Sequence, residues 1–271
     1  MVVCTLGDLL LDVIVRLEGR IDSDTDTYGR TTVHAGGQAA NVAAWTKELG
    51  RDARLICKRS TDLAGTLVAG ELELRGIDVA GPTAETGTGT VVSITSPTRG
   101  RTMLSDRGVS PTLAPDDLDP SWFSDCTDLY VTGYSLTTSP MREAALEAAR
   151  HARRAGACLA LDVSSTAAVR AGGLDDFHAA AAELAPDLVL ATERERAEIG
   201  VVEATTQIIK RGAGGVVLIE DDTQTELEAV AADVVDTTGA GDALAAGFLV
   251  GGIDLGLMAA ARCVTRPGAM P

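Results

Sequence analysis

The sequence predicts an α/β protein with three layers, in which helices cover both faces of a mainly parallel sheet. Two observations lead to this prediction. Short apolar runs alternate with Ala-rich, amphipathic segments along most of the 271 residues. In addition, 45% of the residues are hydrophobic, which suffices to bury one large core at this length. We therefore expect a single domain over residues 1–271, with a small β-rich lid.

The predicted elements follow one another in the order of repeated β-α units. The strands are apolar runs at residues 2–6, 54–57, 129–132, 157–161, 188–190 and 216–219. The helices are amphipathic segments at residues 38–49, 63–75, 141–155, 177–184 and 240–250. The apolar stretch 243–264 approaches the length of a membrane span, but Asp254 and the Gly251-Gly252 pair favour two buried helices joined by a turn.

Two segments depart from this alternation. Residues 14–33 are polar and rich in Asp and Thr, and residues 88–104 alternate like antiparallel strands around a turn at 97–100. Neither segment is long enough for a core of its own. We expect them to form together a β-rich lid over one edge of the α/β domain. A surface hairpin with a separate loop is the alternative.

Charge and cysteine content limit the classes of partner. The formal net charge of −16 argues against nucleic acid as the main partner. The negative charge does not exclude a phosphorylated substrate, because a local nest of backbone amides can bind an anion in a protein of negative net charge. The five cysteines form no CxxC pair, and the first residues lack the basic and long apolar regions of a signal peptide. We expect a cytoplasmic protein with no membrane partner.

Several common catalytic motifs are absent. None of the three lysines follows a glycine, which excludes a Walker A loop. The two GxG fragments lack the third glycine of a dinucleotide-binding fingerprint. The three histidines match no zinc-protease pattern. A catalytic zinc ion or a histidine-based hydrolase is therefore not expected.

A glycine-rich string at residues 236–242, DTTGAGD, precedes a helix-like run. Such a turn lets successive backbone N–H groups point into one cavity, where they and the helix dipole stabilise charge on a transferring phosphoryl group. Asp242, in the first turn of that helix, is a candidate general base for an attacking hydroxyl. In the alternative interpretation, Asp242 only caps the helix and the glycines only form a turn.

This string and the apolar residues after it resemble the C-terminal signature of the ribokinase-like (PfkB) carbohydrate kinases. In the N-terminal half, residues 7–12 resemble the family's first strand, whose substrate-binding Asp would be Asp12. Residues 36–43 resemble its glycine pair and the helix start that follows. The resemblance covers nearly the whole chain. It implies a Rossmann-like, ribokinase-like fold and an ATP-dependent transferase, a carbohydrate kinase.

The resemblance also implies residue roles at the reaction centre. Asp242 would deprotonate a hydroxyl that attacks the γ-phosphate of ATP, and backbone amides would stabilise the charge. The residues of this turn are Gly239, Ala240, Gly241 and Asp242. The sugar would contact Asp12, Gly36, Gly37 and Asn41. A carboxylate and an amide suit the several hydroxyl groups of a sugar.

ATP and ion sites are implied in the same way. Glu195 aligns with the Glu of the family's Asn-x-x-Glu motif, which organises water around Mg²⁺, although Thr192 stands where Asn is expected. Residues 210–215 resemble the nucleotide loop, so ATP would contact Lys210, Gly212, Gly215 and Thr237. A monovalent cation, typically K⁺, would lie near Asp236, Thr238 and Gly268.

The resemblance leaves the acceptor open. A ribose-like sugar is preferred, because only eight aromatic residues are present to stack on the base of a nucleoside. A nucleoside kinase of the same fold is one alternative, and a catalytically weak sugar- or nucleotide-binding sensor is another. A phosphosugar is also possible as the acceptor, because Arg99, Arg101 and Arg107 could bind its phosphate.

In several members of the family the lids pair between subunits, so the resemblance also implies a homodimer.

Overall fold

The computed structural model describes residues 1–21, 23–96, 100–221 and 223–271. The strands are β1 Val2–Leu6, β2 Leu10–Leu17, β3 Gly29–Gly36, β4 Asp52–Ile56, β5 Arg59–Ser60, β6 Asp78–Ala80, β7 Thr83–Ala84, β8 Thr88–Ser96, β9 Gly100–Gly108, β10 Cys126–Thr132, β11 Cys158–Asp162, β12 Leu188–Thr192, β13 Thr206–Lys210, β14 Val216–Glu220 and β15 Thr223–Leu227. The helices are α1 Gln38–Glu48, α2 Leu63–Leu74, α3 Met141–Arg154, α4 Thr166–Gly172, α5 Leu174–Leu184, α6 Glu193–Ile199, α7 Ala240–Gly251 and α8 Ile253–Cys263.

A nine-stranded sheet forms the centre of the fold, in the order β15-β14-β13-β12-β11-β10-β1-β4-β6. Seven of these strands, from β13 to β6, run parallel, and β14 and β15 continue one edge as an antiparallel hairpin. The parallel strands are apolar because helices cover both faces. Helices α3 and α5 pack on one face, and α1, α7 and α8 pack on the other. The predicted three-layer α/β fold is confirmed.

The element predictions from the sequence are correct for the apolar segments and incomplete elsewhere. Residues 243–264 contain the end of α7 and all of α8, which are joined at Gly252 with φ +85°. A methyl group on Gly247 would lie 2.6 Å from the Gly256 Cα, so the two helices touch through their backbones. Strands β5, β6, β7, β13 and β15 and helices α4 and α6 were not predicted. Within the described residues, no helix combines the length and apolar character that a membrane span requires.

A second sheet of four strands, in the order β3-β2-β8-β9, contains most of the segments expected to form the lid. Strand β2 pairs antiparallel with β3 and parallel with β8, and β8 pairs antiparallel with β9. The sheet begins at Leu10 and ends at Gly108, so it is longer than the expected 14–33 and 88–104. Of the expected turn at 97–100, residues 97–99 lie outside the described part.

Candidate active site

The carboxyl ends of adjacent parallel strands bring polar side chains to one edge of the large sheet. Strands β10 to β13 end at Thr132, Asp162, Thr192 and Lys210. Register pairs link Thr132 to Asp162 and Thr192 to Lys210 across neighbouring strands. This edge is where open α/β sheets bind ligands, and the N-terminus of α7 meets it there.

The glycine-rich turn before α7 has uncapped backbone N–H groups. Gly239 has φ +79°, and a methyl group on it would lie 2.5 Å from the Ala269 Cα, so only glycine fits there. As the N-cap residue, Gly239 supplies no capping side chain. The first-turn amides and the positive end of the helix dipole are therefore suited to bind an anion.

The Asp236 carboxylate holds this turn in shape. Its Oδ1 accepts hydrogen bonds from the Thr238 backbone N–H at 2.9 Å and from the Thr238 hydroxyl at 2.6 Å. Its Oδ2 accepts one from the Gly268 N–H at 3.2 Å. The Arg16 guanidinium, from β2, lies 4.0 Å from the same Oδ2. The structure thus brings together Asp236, Thr238 and Gly268, the three residues expected near a monovalent cation.

Asp242 is the third residue of α7 and is half-buried. The Asn41 Nδ2 donates a hydrogen bond of 2.8 Å to its Oδ2. Burial raises the pKa of Asp242 to about 7; the charges of Asp162 and Asp12 add to this effect, whereas Asn41 and Lys210 oppose it. A carboxylate with such a pKa accepts a proton near neutral pH, which suits a general base.

The two glycines at residues 36 and 37 make room for polar groups near Asp242. A methyl group on Gly36 would lie 2.2 Å from the Asp12 Cγ. Gly37 has φ +99°, and a methyl group there would lie 2.3 Å from the Asp8 carbonyl oxygen. Asn41 follows in the first turn of α1, and its buried Oδ1 has no hydrogen-bond partner among the described residues. The expected sugar-binding residues thus lie close to the expected base.

An ion pair between Asp8 and Arg107 was not predicted from the sequence. The Arg107 Nε and Nη2 donate to the two Asp8 oxygens at 2.6 Å and 2.8 Å. Asp8 is buried, and the guanidinium also lies 5.6 Å from the centre of the Tyr134 ring. The pair joins the end of β9 to the loop after β1. Arg107, considered above for a phosphosugar, is therefore engaged by a carboxylate.

Thr192 and Glu195 form a capping box at the start of α6. The Glu195 N–H donates to the Thr192 hydroxyl at 3.1 Å, and the Thr192 N–H donates to the Glu195 Oε2 at 2.7 Å. Thr192, which stands where Asn is expected, is therefore the N-cap of α6. Glu195 is buried, and its charge helps to raise the pKa of Lys210.

Lys210 forms an ion pair with Asp162, a residue that the sequence analysis missed. The Nζ of Lys210 lies 2.9 Å from Oδ1 and 2.7 Å from Oδ2 of Asp162. Asp162 is fully buried. Lys210 was expected in a loop, but it is the last residue of β13, because the apolar pair Ile208-Ile209 continues the sheet. The only available signal for Asp162 was its position directly after an apolar run.

A cavity of about 500 Å³ lies beside the glycine-rich turn. Its walls are mainly small and apolar and include Val216, Leu244 and Leu257. The residues expected to contact ATP all line it: Lys210, Gly212, Gly215 and Thr237. A methyl group on Gly215, which has φ +81°, would lie 2.0 Å from the Leu227 carbonyl oxygen, so the loop requires glycine. The cavity reaches from an apolar end to the N-terminus of α7.

Comparisons with known proteins show which family and which fold the chain resembles. A family model described as pfkB family carbohydrate kinase matches residues 2–268. Aminoimidazole riboside kinase from Salmonella typhimurium is 30% identical over 236 residues, which cover 79% of this chain and 72% of that protein. A 5-dehydro-2-deoxygluconokinase from Geobacillus kaustophilus is 27% identical over 274 residues, which cover 91% of this chain and 80% of that protein. The structure of a putative ribokinase II from E. coli, in complex with ATP and Mg²⁺, aligns with a TM-score of 0.83 and 21% identity, over 99% of this chain and 94% of that one.

Proposed function

Because the chain belongs to the pfkB family of carbohydrate kinases, we propose that it transfers the γ-phosphate of ATP to a hydroxyl group of a small, ribose-like sugar. The membership makes it a phosphotransferase with an alcohol group as acceptor. The observation that supports transfer of the γ-phosphate to a sugar hydroxyl is the position of Asp242. This carboxylate, with a pKa of about 7, lies at the uncapped start of α7 and accepts a hydrogen bond from Asn41 of α1.

The chemistry follows from these groups. Asp242 accepts the proton of the sugar hydroxyl while the hydroxyl oxygen attacks the γ-phosphorus, and the bond to the β-phosphate oxygen breaks to give ADP and a phosphosugar. The N–H groups of the glycine-rich turn stabilise the charge on the transferring group. Asp12 and Asn41 orient the sugar, because a carboxylate and an amide match its hydroxyl groups.

The donor side fits ATP. The cavity of about 500 Å³ is large enough for a nucleotide, and its apolar end suits a base. Its other end, at Lys210, Gly241 and Thr237, suits phosphates. The structure of the E. coli neighbour is a complex with ATP and Mg²⁺. Under this proposal, the adenosine of ATP lies between the β14-β15 hairpin and α8.

Magnesium is proposed near Glu195. The Glu195 Oε2 accepts the Thr192 N–H, so the capping box fixes the direction of the carboxylate, and its other oxygen remains to hold a metal-bound water. This donor set fits a hydrated divalent ion, which would neutralise charge on the phosphates. Asp242 and Asp162 add negative charge to this edge of the sheet.

Potassium is proposed near Asp236. The carboxylate is already an acceptor for Thr238 and Gly268, and the Arg16 guanidinium lies 4.0 Å from it. A monovalent cation there competes with Arg16 for the same charge. We therefore expect Arg16→Gln to lower the K⁺ concentration needed for half-maximal stimulation.

The substrate test is ADP release from ATP and Mg²⁺ over a panel of pentoses, hexoses, keto-sugar acids, phosphosugars and nucleosides. Turnover with ribose or a similar furanose supports the proposal. Turnover only with a nucleoside supports the second candidate, which the 30% identity to aminoimidazole riboside kinase favours. If no acceptor in the panel causes ADP release but ligands still stabilise the protein thermally, a sugar- or nucleotide-binding sensor is favoured.

A homodimer through the four-stranded sheet is also proposed. Val33 on β3 and Leu104 on β9 are 51% and 60% exposed and lie in one row across the sheet with Val13 and Val92, so they share a face. Pairing with a second copy would cover them. Light scattering of the wild-type protein and of Leu104→Glu tests this, because the variant should be monomeric.

A further inference from the structure

The ion pair between Lys210 and Asp162 has features that a purely structural pair does not require. Asp162 is the last residue of β11 and Lys210 is the last residue of β13, and strand β12 lies between these two strands. The ion pair therefore spans the carboxyl end of β12, where ligands are expected to bind. Asp162 is fully buried, and the Lys210 side chain is 14% exposed. A buried ion pair contributes little to net stability because desolvation offsets the attraction.

The Lys210 ammonium faces the glycine-rich turn. A methyl group built on Gly241 would lie 3.5 Å from the Lys210 Nζ, and both residues line the 500 Å³ cavity. The two Asp162 oxygens accept hydrogen bonds from at most two of the three N–H groups of the ammonium. One donor therefore remains for an acceptor in the cavity, beside the amides at the start of α7.

The surroundings keep Lys210 charged. Burial lowers the pKa of its ammonium, but the charges of Asp162, Glu195 and Asp242 outweigh this, so the pKa lies above the ordinary value. The site thus contains a permanent positive charge inside a cluster of carboxylates. A fixed charge next to a transferring phosphoryl group needs no reorganisation during the reaction.

We propose that Lys210 is a catalytic residue that donates a hydrogen bond to the transferring phosphoryl group, and that Asp162 is the positioning residue that aims it. This proposal rests on the proposed kinase function. It adds a side-chain cation to the backbone amides of the turn, and it assigns Asp162 a role in the reaction.

The first experiment compares turnover in single and double variants. We expect Lys210→Met to lower kcat by on the order of 10²-fold with the sugar KM nearly unchanged, because the lost contact is made mainly in the transition state. Asp162→Asn should lower kcat by about tenfold, because a misdirected ammonium still carries its charge. Lys47→Met is the matched control, since Lys47 pairs with Asp52 at 2.8 Å on an exposed surface and should keep wild-type turnover.

The double variant Lys210→Met/Asp162→Asn separates catalysis from folding. It removes both charges of the buried Lys210–Asp162 pair, so its stability should exceed that of Lys210→Met. Under our proposal it remains as slow as Lys210→Met, within about threefold. Recovery of turnover in the double variant, or a folded Lys210→Met with kcat within about threefold of wild type, overturns the proposal.

A second measurement does not depend on an acceptor. Fluoroaluminate with ADP and Mg²⁺ mimics a transferring phosphoryl group, and calorimetry gives the gain in ADP affinity that it causes. We expect this gain to fall at least about tenfold in Lys210→Met and to persist in Lys47→Met. An unchanged gain overturns the role of Lys210. Absence of turnover by the wild-type protein with every acceptor contradicts the proposed function instead, and the fluoroaluminate result then decides on Lys210 alone.

Discussion

The side-chain amide of Asn41 donates a hydrogen bond of 2.8 Å to the carboxylate of Asp242, from a position 201 residues earlier in the chain. This contact joins the start of α1, next to the glycine pair, to the start of α7. It links the expected sugar site to the expected base, and it lowers the pKa that burial raises in Asp242. The strength of the base therefore depends on a residue of the sugar site.

Replacement of Asn41 should shift the pH dependence of the reaction. In the wild-type protein, kcat/KM should rise about tenfold per pH unit below pH 7 and level off above it, as Asp242 loses its proton. Asn41→Leu removes the hydrogen bond that favours the carboxylate, so the midpoint should move to higher pH. A pH profile of kcat/KM checks this, and a midpoint that stays in place contradicts the assigned role.

Asp242→Asn should stabilise the protein at neutral and alkaline pH. The pKa of Asp242 is about 7 in the folded state and 3.8 when unperturbed. Between these values the folded state retains a proton that the unfolded state has lost, so folding stability decreases as pH rises from about 4 to 7. Above pH 7 the destabilisation is complete, on the order of 2 kcal/mol for this half-buried group.

The Asn variant carries no charge at this position and lacks the destabilisation. Its free energy of unfolding should exceed that of wild type above pH 7 and match it near pH 4. Urea denaturation of both proteins at several pH values measures the difference. A difference that is constant with pH would show that the burial of Asp242 has no such effect on stability.

Gly36→Ala should impair sugar binding selectively. The added methyl group would lie 2.2 Å from the Asp12 Cγ, so the carboxylate must move away from its position. We expect the sugar KM to rise by about tenfold or more, because Asp12 no longer reaches its hydroxyl groups. The affinity for ATP, measured by calorimetry, should stay within about twofold. Equal losses for both ligands would indicate a general structural defect.

Arg107→Met should destabilise the fold. It leaves the buried Asp8 carboxylate without the partner that now donates to both of its oxygens. The expected loss is about 3–5 kcal/mol, and Asp8→Asn in the same chain should recover part of it. Arg150→Met is the control, because Arg150 pairs with Glu147 and Glu183 on the surface, and its loss should leave stability nearly unchanged. Similar losses in both variants would contradict this account.

The features that were predictable from the sequence depend on residues that are close together in the chain. The turn before α7 was predictable because its signals lie within seven consecutive residues, and Gly239, with φ +79°, has a backbone conformation that residues other than glycine rarely adopt. The central strands were predictable because burial on both faces makes them continuously apolar. Strand β13 was missed because only two of its five residues are apolar.

The ion pairs of the site were not predictable in the same way. Asp8 and Arg107 are 99 residues apart, and Asp162 and Lys210 are 48 residues apart. Strand order decides which of the many carboxylates meets which cation, and local patterns do not encode that order. Thr192 is a different case: it departs from the family's Asn, but with Glu195 it forms a Thr-x-x-Glu pattern that is itself a sequence signal for a helix N-terminus.

The most direct test of the central claim is the turnover of Asp242→Asn with ATP, Mg²⁺ and the best acceptor from the substrate panel. If Asp242 is the general base of a sugar kinase, kcat should fall by on the order of 10²-fold or more, while the affinities for sugar and ATP change little. Turnover close to that of the wild-type protein would contradict the account, because proton removal from the hydroxyl would then not depend on Asp242.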